Sequence, residues 1–242
     1  MENKKHSNKK YPRKRKHSKK VHFYQPKRRK LEAENEIKEL DKQLEKFYSI
    51  IQTVLYHSIR MLFQWNTAPE NFEDFPLSQK TQRGLKDCNY VTFTSIQSKS
   101  ILPALKGHNV WGKAKTGSGK TLAFVIPVLE KLYKEGWSKE FGVGAIILSP
   151  TAELAKQTYD VFNKVGRYHS FSIALVIGGG NKVKQEKERV GQISILICTP
   201  GRLVQHINEN PDLRCDDLQM LGNCPMFTLY SPAVDSLDPI DT

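Results

Sequence analysis

The stretch Ala114-Lys115-Thr116-Gly117-Ser118-Gly119-Lys120-Thr121 constrains the fold more than any other part of the chain. It departs from the phosphate-loop pattern G-x-x-x-x-G-K-[ST] only in carrying Ala114 at the first glycine. Gly117 and Gly119 let the backbone turn its N–H groups inward around a polyphosphate. A helix opening at Thr121 would aim its positive dipole end at the same anion. Lys120 is placed to reach the β- and γ-phosphates, and the Thr121 hydroxyl to ligate Mg²⁺. Such a loop needs a strand before it and a helix after it. Asn109–Gly112 reads as the strand and Thr121–Tyr133 as the helix, with Pro127 inside it expected to bend it.

Beyond this unit, short apolar runs alternate with helical stretches. Val143–Leu148, Ile173–Ile177 and Ile193–Cys198 read as buried strands, and about Glu153 to Val165 as a helix. The alternation predicts an α/β fold of parallel βαβ units with helices on both sheet faces. Gly142-x-Gly144 lacks a third glycine, since Ile147 stands there, so a dinucleotide fingerprint is not expected.

Charge divides the chain of 242 residues. Of its 38 Lys+Arg and 25 Asp+Glu, residues 1–30 hold 14 bases and one acid, Glu2, so the remainder is neutral. Residues 1–30 include Pro12-Arg13-Lys14-Arg15-Lys16 and Pro26-Lys27-Arg28-Arg29-Lys30. They cannot bury enough apolar area to offset their ordering entropy and are expected to be a disordered basic arm. Such an arm suits nuclear import or nucleic-acid contact. Residues 31–65 read as an amphipathic helix, with Ile37, Leu40, Leu44, Phe47, Ile51 and Val54 at spacings of three and four. Its stripe would lie on the following domain or serve as a coiled-coil site for a protein partner. Residues 66–71 form a turn-rich link. No apolar run approaches the ~18 residues of a membrane span, and no membrane role is expected. Cys88, Cys198, Cys215 and Cys224 show no zinc-ligand spacing and read as reduced thiols.

With Ala114 in first position, A-x-T-G-x-G-K-T resembles the DEAD-box RNA helicases, and other segments follow in that family's order. Asn71-Phe72-Glu73-Asp74-Phe75-Pro76-Leu77-Ser78 with Thr94-Ser95-Ile96-Gln97 resembles the Q motif. The resemblance implies that Phe72 stacks on adenine and Gln97 reads its edge. Pro150-Thr151-Ala152-Glu153-Leu154-Ala155, Gly178-Gly179 and Thr199-Pro200-Gly201-Arg202 resemble the segments that hold the RNA backbone in that family. Pro150, Thr151, Glu153, Gly178, Gly179, Thr199, Pro200, Gly201 and Arg202 are thereby implied to contact RNA. Ala114, Lys115, Thr116, Gly117, Ser118, Gly119, Lys120 and Thr121 would bind ATP, with Thr121 on Mg²⁺ and Lys120 and Thr121 in the catalytic role. The resemblance covers about Phe72 to Leu221 and predicts a RecA-like domain over residues 66–221. The phrasing of the chain is nearest the nucleolar members acting on pre-ribosomal RNA. The implied function is an ATP-dependent RNA helicase of ribosomal RNA processing, in the nucleus and nucleolus. A different phosphate-loop enzyme, such as a small kinase or GTPase, is disfavoured by the Q motif and by the lack of N-K-x-D.

The chain also departs from the family. Ala152 replaces an Arg, a loss of roughly 1.5–3 kcal/mol if that charge-assisted contact was well formed. Phe93 stands for the usual Pro and Asn89 for the usual Gly. After Asp217-Leu218-Gln219-Met220-Leu221 the family runs through a strand into Asp-Glu-Ala-Asp, whereas here Gly222-Asn223-Cys224-Pro225-Met226-Phe227 follows. Those carboxylates would hold Mg²⁺ and position water. The Ser-Ala-Thr segment and the second RecA-like domain are not found either. The domain is therefore expected to be incomplete and truncated, with open sheet edges and an irregular tail over 222–242. A tail capping the open edge is the alternative. The chain alone is expected not to hydrolyse ATP. It would instead be a non-catalytic ATP- and RNA-binding fragment competing with the full-length helicase.

Overall fold

The computed structural model describes residues 25–58, 70–178, 192–224, 227–230 and 237–239. Two units are distinguished, Met1–Glu36 and Ile37–Thr242. The first contributes the opening turns of α1 (Gln25–Ser58), and the second holds everything else. Helix α1 starts earlier than expected: residues 25–30 of the basic arm are helical. Lys and Arg are good helix formers, and Pro26 falls in the first turn, where its missing N–H has no intrahelical use. Residues 1–24 and 59–65 lie outside the described residues, and with them the rest of the arm and the end of the helix. Leu40 and Leu44 are buried, while Asp41 pairs with Lys134 (2.6 Å) and Glu45 with Lys106. The apolar stripe of α1 thus lies against its own domain at these turns.

The second unit is built on a seven-stranded sheet. Its strands are β1 (Asn109–Gly112), β2 (Ala145–Leu148), β3 (Ile173–Val176), β4 (Ile195–Cys198), β5 (Met220–Asn223), β6 (Phe227–Tyr230) and β7 (Leu237–Pro239), in spatial order β3-β4-β2-β5-β6-β1-β7. Strands β3, β4, β2 and β5 are mutually parallel. β6 runs antiparallel to both β5 and β1, so β1 again points the same way as β2. The sheet is mostly parallel, as the alternation requires.

Among the described residues the unit also holds helices α2 (Gln79–Asp87), α3 (Ser95–Leu105), α4 (Lys120–Lys134), α5 (Ala152–Val165) and α6 (Pro200–Glu209). Their starts are written locally. The Ser78 hydroxyl accepts from the Thr81 N–H, Thr151 accepts from the Leu154 N–H, and α6 opens on Pro200. Alternate residues of β2 and β4 serve two cores. Ala145, Ile147, Ile195 and Ile197 meet α3, α4 and α5, whereas Ile146, Leu196 and Cys198 meet Leu203 of α6 and the 213–218 segment. Both faces are therefore covered, which is why these strands are apolar at every position. Pro127 is buried inside α4, and Phe124 faces Phe162 of α5 at 6.2 Å. Each such fully buried ring contributes about 1.5–3 kcal/mol. Asn89 is the one described non-glycine residue at positive φ (56°). It occupies the expected glycine position in the left-handed region that Asn tolerates.

The tail overturns an expectation. Residues 222–242 are not irregular throughout, and the sheet has no gap where the family strand was thought lost. Gly222 and Asn223 belong to β5, which pairs in parallel with β2, Leu148 facing Asn223. β6 then enters between β5 and β1, with Val110 opposite Leu229, and Leu229 is fully buried. The link over 224–226 is far too short for a parallel crossover, so β6 can only return antiparallel. β7 adds to the outer edge of β1 in parallel. The tail fills the interior of the sheet and extends its edge, which goes beyond capping.

Candidate functional site

Four motifs of the site sit where a parallel strand ends. β1 leads into the phosphate loop, β2 into Pro150–Glu153, β3 into Gly178, and β4 into Thr199–Arg202. Ligand crevices of open α/β sheets lie at this edge.

The phosphate loop has the backbone that its glycines foretell. Gly117 (φ 81°) and Gly119 (φ 88°) are left-handed, and Gly119 is the residue before α4 begins. A Cβ on Gly119 would collide with the Gln97 amide nitrogen and come within 2.9 Å of the Thr94 hydroxyl, so only glycine fits. α4 opens one residue earlier than expected, at Lys120, which brings both Lys120 and Thr121 into its first turn. The Lys120 ammonium donates to the carbonyls of Ala114 and Lys115 (3.0 Å to the latter), folding back over the loop that precedes it. Lys115, Thr116 and Gly117 are exposed, whereas Ala114, Ser118, Lys120 and Thr121 are half-buried.

The two Q-motif residues are engaged by neighbouring groups of the protein. Gln97 is buried with its side chain committed at both ends. Its Oε1 accepts from the Thr94 N–H (2.9 Å), and its Nε2 donates to the Gly119 carbonyl (3.0 Å). It fixes the phosphate loop to the start of α3. Phe72 is 1% exposed, with its ring 4.0 Å from that of Phe93. It is a core residue here and presents no open face to a base. Phe93, standing for the usual proline, supplies the covering ring.

The segments expected to hold RNA form a row in strand order. Gly178 at the end of β3, Thr199–Arg202 at the end of β4 and Pro150–Glu153 at the end of β2 are neighbours. Pro150, Thr151, Glu153, Gly178, Pro200 and Gly201 are exposed, while Thr199 and Arg202 are half-buried. Glu153 accepts from Gln157 (3.3 Å), and Arg202 donates to Gln205 (2.6 Å). Two helix N-termini, of α5 and α6, open into this row and offer backbone N–H groups to an anion. Gly179 lies outside the described residues. From this row β5 and β6 separate the phosphate loop, so β1 is three strand spacings, about 14 Å, from β2.

The position that follows β5 is Cys224, whose N–H donates to the Leu148 carbonyl (2.9 Å). Burial raises its thiol pKa, against the lowering effect of a bond to Thr158 and of the Lys120 charge. A thiol therefore stands directly after β5, within reach of the Lys120 charge. Mg²⁺ prefers oxygen ligands, and no group of three or more His, Cys, Asp or Glu side chains able to hold a metal occurs among the described residues. The loop suits a nucleotide's phosphates.

One buried polar group was not anticipated. Glu130 of α4 accepts from the Ser78 N–H (2.9 Å) and hydroxyl (2.7 Å), and Thr81 bonds to it as well. The Thr81 hydroxyl also meets His169 Nε2 at 2.9 Å. Burial raises the Glu130 pKa, opposed by these hydrogen bonds and by Lys134. Gln82 of α2 donates to the carbonyls of Phe72 (2.7 Å) and Phe75 (2.9 Å). The 72–78 segment and α2 are thereby clamped to α4. Its polar members lie 52 and 88 residues apart, so no local pattern announces them.

Comparison with known proteins agrees with this arrangement. The family model described as DEAD/DEAH box helicase matches residues 94–221, more than half of the chain. A relative from Arabidopsis thaliana, DEAD-box ATP-dependent RNA helicase 32, is 58% identical over 150 residues, covering 62% of this chain and 20% of its own length. ATP-dependent RNA helicase dbp4 of Aspergillus niger is 54% identical over 152 residues, covering 63% and 19%. The protein of the same name from Aspergillus fumigatus is 49% identical over 177 residues, covering 73% and 22%. The chain spans about a fifth of the length of these curated relatives. The crystal structure of a DEAD box protein from the hyperthermophile Methanococcus jannaschii superposes with a TM-score of 0.57 at 31% identity, covering 63% of this chain and 40% of that one. No described helix is long and apolar enough to cross a membrane.

Proposed function

Because the chain belongs to the DEAD/DEAH box helicase family, we propose that it carries the nucleotide- and RNA-binding part of an ATP-dependent RNA helicase acting in ribosomal RNA maturation. The observation that supports it most is the phosphate loop. Two left-handed glycines, a helix N-terminus and Lys120 converge there, on the same sheet edge as the row of helix N-termini. ATP phosphates bind at Ala114–Thr121, with Mg²⁺ carried by the nucleotide and touched by Thr121. RNA phosphates run along the ends of β2, β4 and β3. The basic arm adds counterion-releasing contacts and directs the chain to the nucleus and nucleolus.

A second reading is favoured by Cys224. With a thiol at the position directly after β5, the chain binds ATP and RNA without hydrolysis and competes with a catalytically complete helicase for the same RNA. Both readings require nucleotide binding. The test is a thermal melt with and without Mg-ATP and Mg-ADP, using Lys120→Ala as control. A midpoint that rises with nucleotide only in the unsubstituted chain supports the loop assignment. A midpoint indifferent to nucleotide, or raised equally in Lys120→Ala, refutes it.

A further inference from the structure

Charge on the body of the protein is balanced overall but not locally. Lys80, Arg83 and Lys86 recur every three residues on one face of α2. Lys164 lies in the last turn of α5, and Arg167 and Tyr168 follow the helix. The two segments are in close contact: a Cβ on Gly84 would collide with the Val165 carbonyl, so the α2 backbone lies directly on the end of α5. The Arg83 guanidinium sits 4.2 Å over the Tyr168 ring, and that of Arg167 lies 5.4 Å from the same centroid. Lys164 and Arg167 both act on the Cys88 thiol beside them. Against these five cations stand two acids. Asp87 accepts from Tyr168 (2.5 Å) and Arg167 (3.4 Å), and Glu73 lies 3.5 Å from Lys86. Lys80, Arg83 and Lys164 form no ion pair among the described residues.

We propose that this patch is a second RNA-phosphate site, at the end of the sheet opposite the phosphate loop. The assignment rests on the RNA-binding reading above and extends it. α5 leaves the ligand edge at Thr151 and runs back for 14 residues, about 21 Å, before reaching Lys164 and Arg167. A strand or duplex held on the upper row covers that distance in roughly six steps of 3.4 Å. The Tyr168 ring is already covered by Arg83, so it offers no platform for a base. The Arg83 guanidinium over it belongs to an exposed residue, and a guanidinium can donate to phosphate oxygens two at a time. Such contacts position a nucleic acid and read no sequence. An acidic peptide is the alternative occupant, but the regular i, i+3, i+6 spacing continued onto α5 suits an evenly charged backbone better.

The test uses the full chain, a fluorescein-labelled RNA long enough to span both ends and a short one confined to the upper row, with anisotropy measured across a salt series. Arg83→Gln/Arg167→Gln is expected to weaken the long RNA severalfold and to flatten its log Kd against log salt slope by about 1.4–1.8. The short RNA should be unaffected, and Arg83→Lys/Arg167→Lys should restore most of the slope. If the unsubstituted chain binds neither RNA, the underlying RNA reading fails, and the patch with it. If it binds both RNAs and the double variant leaves the long-RNA slope unchanged, the patch proposal alone fails. Loss of polyglutamate binding with unchanged RNA binding would overturn it in favour of an acidic protein partner.

Discussion

His169 makes the stability of this domain depend on pH through one buried ring. It is stacked on Phe171 (5.1 Å, 12° between planes), meets Tyr133 edge-on, and bonds through Nε2 to Thr81. Its Nδ1 has no hydrogen-bond partner among the described residues. Burial, with Lys80 adding like-charge repulsion, lowers its pKa from 6.5 to about 3. Between these values the unfolded chain takes up a proton that the folded chain refuses. The stabilisation is complete above the unfolded pKa and is lost as pH falls toward the folded one. The slope is about 1.4 kcal/mol per pH unit, so at about pH 5 the loss is about 2 kcal/mol. Glu130, reached through Thr81, works in the opposite sense. Its raised pKa means the folded chain holds the extra proton, so its contribution grows as pH falls. The perturbation is therefore His169→Gln, which keeps a polar atom for Thr81 and leaves Glu130 in place. Urea unfolding of both proteins at about pH 7.5 and about pH 5, followed by tryptophan fluorescence, should show the unsubstituted chain losing about 2 kcal/mol more than the variant. Equal pH dependence in the two proteins would refute the buried neutral imidazole.

Four further outcomes follow from the geometry. Gly119→Ala should abolish nucleotide binding in a fluorescent-ADP titration, because it strains a φ of 88° and displaces Gln97. Gly117→Ala meets nothing within 4 Å and should cost only the backbone strain of about 1–2 kcal/mol. Leu229→Ala removes a fully buried side chain of β6, near Gly222, and should destabilise the domain by about 2–5 kcal/mol in chemical denaturation. An unaltered midpoint there would mean that β6 is not part of the folded sheet. Cys224→Asp places oxygen near Lys120 and should make ADP affinity more dependent on Mg²⁺ than in the unsubstituted chain; no difference in the titration would separate position 224 from the metal.

Much of the site was legible because it is local. The phosphate loop, the span of β1 and the strands β2, β3 and β4 are carried by contiguous residues whose backbone and burial needs coincide. The same holds for Asn89, where a position asking for positive φ received a residue that tolerates it. What went unread depends on partners distant in sequence. Phe227-Thr228-Leu229-Tyr230 has the aromatic and β-branched alternation of a strand, but the prolines around it suggested irregular chain. Only the sheet position beside β1 gives β6 its pairing. The bond from Gln97 to Gly119 and the packing of Phe72 against Phe93 likewise depend on partners that no local pattern names. The Glu130–Thr81–His169 group had one local sign, an acid in the midst of the apolar α4 sequence.

The central claim, a formed phosphate loop in a chain with a thiol directly after β5, is tested most directly by single-turnover ATP hydrolysis with protein in excess over nucleotide and RNA present, run beside an equilibrium ADP titration. Saturable binding that Lys120→Ala removes, with no phosphate released above the rate of that variant, is the predicted result. Phosphate release that RNA accelerates and Lys120→Ala abolishes would contradict it, because another group would then be holding the metal and the water.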